Sequence, residues 1–147
     1  MSFANIYIAA PLAFSLLVCL FAFVKGDAPE RIGAGIILAN MLAGVANEVF
    51  GPYQIIILCI DGLTAVVLLI LAVRYASIWL GAVMLLYAIQ FGLHAFYLVT
   101  ERPRDLIHIV VNNADFFCLH LALAVGTAMA WRRRRRTAVP AMQAAAS

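Results

Sequence analysis

Asp61, His94, His108 and Asp115 each interrupt a long apolar run, where an ionisable side chain is expensive and therefore usually does something. No Lys or Arg lies at a comparable depth in those runs. Two carboxylates in such surroundings have three options. They can hold a proton, share one with a histidine, or bind a cation. His94 and His108 are the partners on offer, and histidine is the side chain that changes charge near neutral pH.

The neighbours of these four residues fall at helical spacing. Tyr87, Gln90, His94, Tyr97 and Glu101 follow one another by three, four, three and four positions, which is a continuous polar stripe on one helix face. His108, Asn112 and Asp115 form another stripe. Asn113, His120 and Thr127 form a third on the same segment, turned roughly 100–140° away. Gln54 and Asp61 are seven apart, as are Asn40 and Asn47. A ligand-binding set follows: Asp61 and Asp115 for charge, His94 and His108 for proton relay, and Gln90, Tyr97 and Asn112 for orientation. For Asn40, Asn47 and Asn112 a plainer role also fits, because polar side chains hold membrane helices together.

Other chemistries find less support. His94, His108, Asp61, Asp115 and Glu48 are metal-ligand types, but no pair has diagnostic spacing. A b-type haem needs axial histidines from two helices. His94 and His120 differ by about 12 Å in depth at 1.5 Å per residue, a poor match. Cys19, Cys59 and Cys118 stand singly in apolar sequence and read as small buried hydrophobes. No nucleophile constellation stands out, and no cofactor is expected.

The elements that must position these residues are membrane helices. Of the 147 residues, 66% are hydrophobic and 12% charged, against about 25% charged in soluble domains. The mean hydropathy is +1.02. Five apolar segments read out at about 5–24, 32–50, 53–73, 78–100 and 106–131, each near the ~20 residues that cross a bilayer as helix. The breaks carry turn chemistry, as in Lys25-Gly26-Asp27-Ala28-Pro29 and Gly51-Pro52. The expectation is an all-α integral membrane protein, a single bundle over 1–136, with a disordered tail over 137–147. The first segment lacks a positive leader and a small-residue cleavage site, so it reads as a retained helix.

Charge gives the orientation. Five of the ten Lys and Arg residues form the run Arg132–Arg136. With that run cytoplasmic, Lys25, Arg31, Arg74 and Arg132–Arg136 lie inside, eight in all, and Arg102 and Arg104 lie outside. An N-terminus outside and a C-terminus inside thus obeys the positive-inside rule. This reading puts the chain in a bacterial inner membrane as a multi-pass protein. Asp61 then lies roughly 12 Å, His94 about 9 Å and Asp115 about 14 Å from the outer ends of their helices. A polar cavity open to the non-cytoplasmic side is expected, closed by apolar packing below. The expected function is binding or conducting a small solute, proton or cation. The alternatives are an accessory subunit docked on a membrane-protein partner or a second copy, and a redox anchor for haem or quinone. The partners so implied are the lipid bilayer and a small solute. The basic run lacks the polar surroundings of a nucleic-acid site, so nucleic acid is not among them.

Overall fold

A computed structural model describes residues 3–51, 53–103 and 105–144, with side chains over 10–51, 53–103 and 105–137. The described residues form five helices: α1 (Phe3–Lys25), α2 (Ala28–Phe50), α3 (Gln54–Tyr75), α4 (Ile78–Val99) and α5 (Leu106–Ala144). There is no strand among the described residues. Helix is what lipid demands, since it satisfies every backbone N–H and C=O within one segment. Four helices, α2 to α5, are long and apolar enough to cross a membrane, and the described side chains of α1, Ala10–Lys25, form a shorter apolar stretch.

The boundaries differ from expectation at two places. α2 starts at Ala28, four residues early, because Pro29 fits the first turn of a helix and Asp27 stands at its N-cap. α5 does not stop near Trp131. It continues through the arginine run to Ala144, so the stretch 137–144, expected without regular structure, is helical. Residues 145–147 lie outside the described residues.

The helices form a ring in chain order, each packed on the next and α5 returning to α1, with a cross-contact between α2 and α5. α5 has neighbours on both sides, as its two polar faces require. Outward-facing side chains are apolar: Leu17, Leu63, Val73, Ile78, Ile107 and Leu121 are all exposed. Such a surface has its natural solvent in hydrocarbon and not in water. Cys59 and Cys118 lie on this outer surface, contrary to the expected burial, and only Cys19 is buried.

One half of the ring is packed tight. Cys19, Ala22, Ala34, Ile37, Leu68, Leu80, Val83, Leu119 and Leu123 fill its centre. At the arginine end Trp79 turns inward. A methyl group on Gly126 of α5 would come within 2.6 Å of the Trp79 ring, and one on Gly33 of α2 within 2.8 Å. The indole N–H donates to Glu30 at 2.9 Å, and the other oxygen of Glu30 accepts the backbone N–H of Asp27 at 2.9 Å. Asp27 in turn meets Arg133 at 3.0 Å and Arg134 at 3.1 Å. The Arg134 guanidinium also donates to the Lys25 carbonyl. The arginines thus clasp the α1–α2 turn as well as carrying charge.

Gly126→Ala should therefore lower stability by about 1–3 kcal/mol, the usual cost of overpacking a tight contact. Thermal unfolding in detergent measures this.

Candidate functional site

The other half of the ring is hollow. A cavity of about 520 Å³ opens among the helices, within the range of small-molecule sites. All five helices reach it. Pro11 and Leu12 come from α1, Asn40, Met41 and Glu48 from α2, Ile57, Ile60 and Asp61 from α3, Tyr87, Gln90 and His94 from α4, and His108, Asn112, Phe116 and His120 from α5. Among the described residues, two carboxylates and three imidazoles line it, and no Lys or Arg does.

Its anchor is Asp61, which is 2% exposed. One carboxylate oxygen meets Nδ1 of His94 at 2.7 Å and the other accepts the Asn40 amide at 3.2 Å. The Asn40 amide also donates to the Thr64 hydroxyl at 3.0 Å, and that hydroxyl donates to the Ile60 carbonyl at 2.7 Å. With Asp61 ionised, the proton of the His94 ring is on Nδ1. Nε2 is then the position that can take up or release a proton. Three helices are tied together through this one carboxylate.

The next layer continues toward the α4–α5 loop. The His94 and His108 rings lie 5.6 Å apart, and the edge of Tyr97 meets the His108 ring at 4.8 Å. The Tyr97 hydroxyl donates to Asp105, which also accepts the backbone N–H of His108 at 2.9 Å. Glu101, expected to extend the stripe upward, is exposed with a left-handed backbone, φ 50°. Asp105 supplies the carboxylate at this level.

His120 forms the floor. Its Nδ1 donates to the Phe116 carbonyl at 2.8 Å, so its Nε2 accepts the hydroxyl of fully buried Ser15 at 2.7 Å. Both ring nitrogens are engaged inside the bundle. Axial ligation by His120 would have to break one of these bonds, which weighs against the haem reading. No group of three or more metal-ligating side chains suited to an ion occurs among the described residues.

Of the seven sequence-predicted site residues, Asp61, Gln90, His94, His108 and Asn112 line this cavity together. Tyr97 lines a smaller adjacent space. Asp115 stands apart. It is 5% exposed, does not line either space, and neither carboxylate oxygen has a hydrogen-bond partner among the described residues. Asn113, grouped with His120 and Thr127 by spacing, is exposed on the outer surface. Thr64 and Ser15 were missed by sequence reading. A hydroxyl in a membrane helix usually bonds its own backbone four residues back, so neither residue carries a signal of its own. Asn40 was visible, and its seven-residue spacing to Asn47 suggested helix association, which it does perform.

The chain matches no protein-family model, and it shows no significant similarity to a curated protein or a solved structure.

Two outcomes follow from this geometry. Asn40→Ala removes one of the two hydrogen bonds to a buried carboxylate and should cost about 1–2 kcal/mol in thermal unfolding. Asp105 lies in the loop, where the Tyr97 hydroxyl, and after it the His108 backbone N–H, hold its carboxyl below the usual range. A depressed carboxyl stabilises above its unfolded value and loses that contribution as pH falls through the folded one. The clasp should therefore survive below about pH 3.9, where an ordinary aspartate is half protonated. Tyr97 ring signals in an NMR titration report its opening, and Asp105→Asn should abolish the step.

Proposed function

We propose that this chain is a small multi-pass protein of a bacterial inner membrane that binds a small organic cation in its central cavity. All five helices span, with the N-terminus and the cavity mouth on the non-cytoplasmic side and the arginine run in the cytoplasm. The orientation is supported by the eight-to-two division of Lys and Arg between the two sides.

The carrying observation is the 520 Å³ cavity with the Asp61–His94 pair in its wall. Asp61 gives its wall a negative charge, and low-dielectric surroundings strengthen that field. A bare metal ion would leave most of the space unfilled. Ile37, Met41, Ile57, Ile60, Leu119 and Phe116 offer an apolar surface to the body of the ligand. Gln90 and Asn112 supply hydrogen bonds for its orientation. Dense packing beneath the cavity separates it from the arginine end, so an outward-open binding state fits the shape.

A second reading, docking onto a partner or second copy, is favoured by Asn113. Its amide faces outward from α5, where another helix would satisfy it better than lipid does. The mass of the complex in mild detergent decides this, with a monomer counting against it.

Binding is tested with a panel of small alkyl and aryl amines against neutral amides of the same shape, followed by calorimetry on the detergent-purified protein. Amines should bind and their neutral counterparts should not. Asp61→Asn should keep the helical circular dichroism and weaken amine binding at least about tenfold, the weight of one charge-assisted contact. Equal binding of amines and amides, or an unchanged Asp61→Asn variant, would sink the reading. A reporter fused after Ala144 should be active only in its cytoplasmic form.

A further inference from the structure

Beside the large cavity lies a second space of about 20 Å³, lined by Gln54, Ile57, His94, Tyr97 and His108. Its size and walls differ from those of the solute site. One water needs roughly 10–15 Å³ and two to four polar partners. Here the partners are the Gln54 amide, the Tyr97 hydroxyl oxygen and the two imidazoles. Gln54, at the first turn of α3, is exposed, whereas Tyr97 and His108 are buried. The space therefore reaches from the bundle's end down to the ring of His94. Ile57, His94 and His108 line both spaces, so the partition between them is largely two imidazoles.

We infer that this small space holds a single bridging water that makes His108 and His94 a proton relay into Asp61, on a route separate from the solute's. The inference deepens the proposed solute site by giving it a proton supply, and it rests on that reading only for its purpose.

The transfer balances simply. A ring N–H of the His108 imidazolium breaks, and its proton forms a new O–H bond to the water. One of the water's original protons leaves for Nε2 of His94. The water is restored, His108 is neutral, and His94 is an imidazolium held through Nδ1 by the Asp61 carboxylate at 2.7 Å. The charge has moved one ring deeper and is met there by its counter-ion. Without the water the step is poor, because the two ring centres are 5.6 Å apart at an interplanar angle of 34°. At that separation even directly facing ring nitrogens stay beyond the usual hydrogen-bond length. Other ionisable groups bias the relay. Asp61 comes from α3, Tyr97 from α4, Asp105 from the loop, Asp115 from α5, and Glu48 from α2 across the large cavity. A solute cation arriving beside Asp61 would compete with the His94 imidazolium for the same carboxylate. Occupation of the large cavity would thus send the proton back through the water.

The test uses the full chain in lipid nanodiscs with ¹⁵N-labelled histidine. In the wild type, magnetisation should pass from water to the Nε2 position of His94 and to the His108 ring, with both rings exchanging at linked rates. Gln54→Leu changes a residue that lines the small space and not the large one. It should remove the water contact and slow proton exchange at His94 by about tenfold, the weight of one ordered bridging water. Amine binding in the large cavity should stay within about twofold, less than the weight of one hydrogen bond. Tyr97→Phe removes a second partner of the water and should act in the same direction, so the idea does not depend on one variant folding. Absence of the water contact in the wild type overturns the relay, whether or not amines bind. So does unchanged His94 exchange in the folded variants. Failure of the wild type to bind amines, with water-to-His94 transfer present and slowed by Gln54→Leu, would instead count against the solute reading and leave the relay standing.

Discussion

Hydrocarbon offers no water to a carboxylate, so Asp61 has to be satisfied by the protein, and the arrangement of three helices follows from that requirement. Its two oxygens draw a donor from α2 and a donor from α4 while its own backbone belongs to α3. Rotating any of the three by one residue, about 100°, would remove a donor and leave a charge in a medium that cannot solvate it. Apolar packing alone would not fix those rotations, because leucine-rich faces and lipid tails are nearly equivalent neighbours. The carboxylate therefore sets the register of α2, α3 and α4, and the cavity wall comes with it.

The bundle divides its labour along its axis. Toward the arginine end, glycines let a tryptophan ring lie against two helix backbones, and a buried glutamate holds both that ring and the start of α2. Asp27 and its two arginines close the same end from outside. This half has little freedom to open. Toward the other end the helices separate, imidazoles and amides replace aliphatic side chains, and the short loop before α5 is pinned by Asp105. A tight base under a hollow top lets the site be polar without the whole bundle coming loose.

Much of this was legible in the residues. Apolar length gave five helices, and the period of the stripes put Asp61, Gln90, His94, His108 and Asn112 around one space. What stayed hidden has physical reasons. Asp115 shares a stripe with His108 and Asn112, yet the cavity lining follows α5 in steps of four, through His108, Asn112, Phe116 and His120, and leaves Asp115 to one side. Asn113 shared a period with His120 but faces outward, since a period fixes relative angles and says nothing of where neighbours stand. Glu30 carries no signal of its own in the sequence. Its burial depends on Trp79, forty-nine positions away, which no local pattern connects. The continuation of α5 past Trp131 was unreadable from apolarity because arginine, alanine and glutamine are good helix formers outside the membrane as well.

Both tryptophans, Trp79 and Trp131, belong to the arginine end. Trp79 touches Gly33, Gly126 and Glu30, and Trp131 has the cations of Lys25 and Arg135 over its ring. Neither lines the hollow half. The tryptophan emission of this protein is consequently a gauge of its base, since no indole meets the cavity. A compound that shifts the emission on entering the cavity would have done so mechanically, by transmitting strain down α2, α4 or α5 to an indole it never meets. Silence in the same measurement would describe a rigid base and would say nothing against occupancy above it.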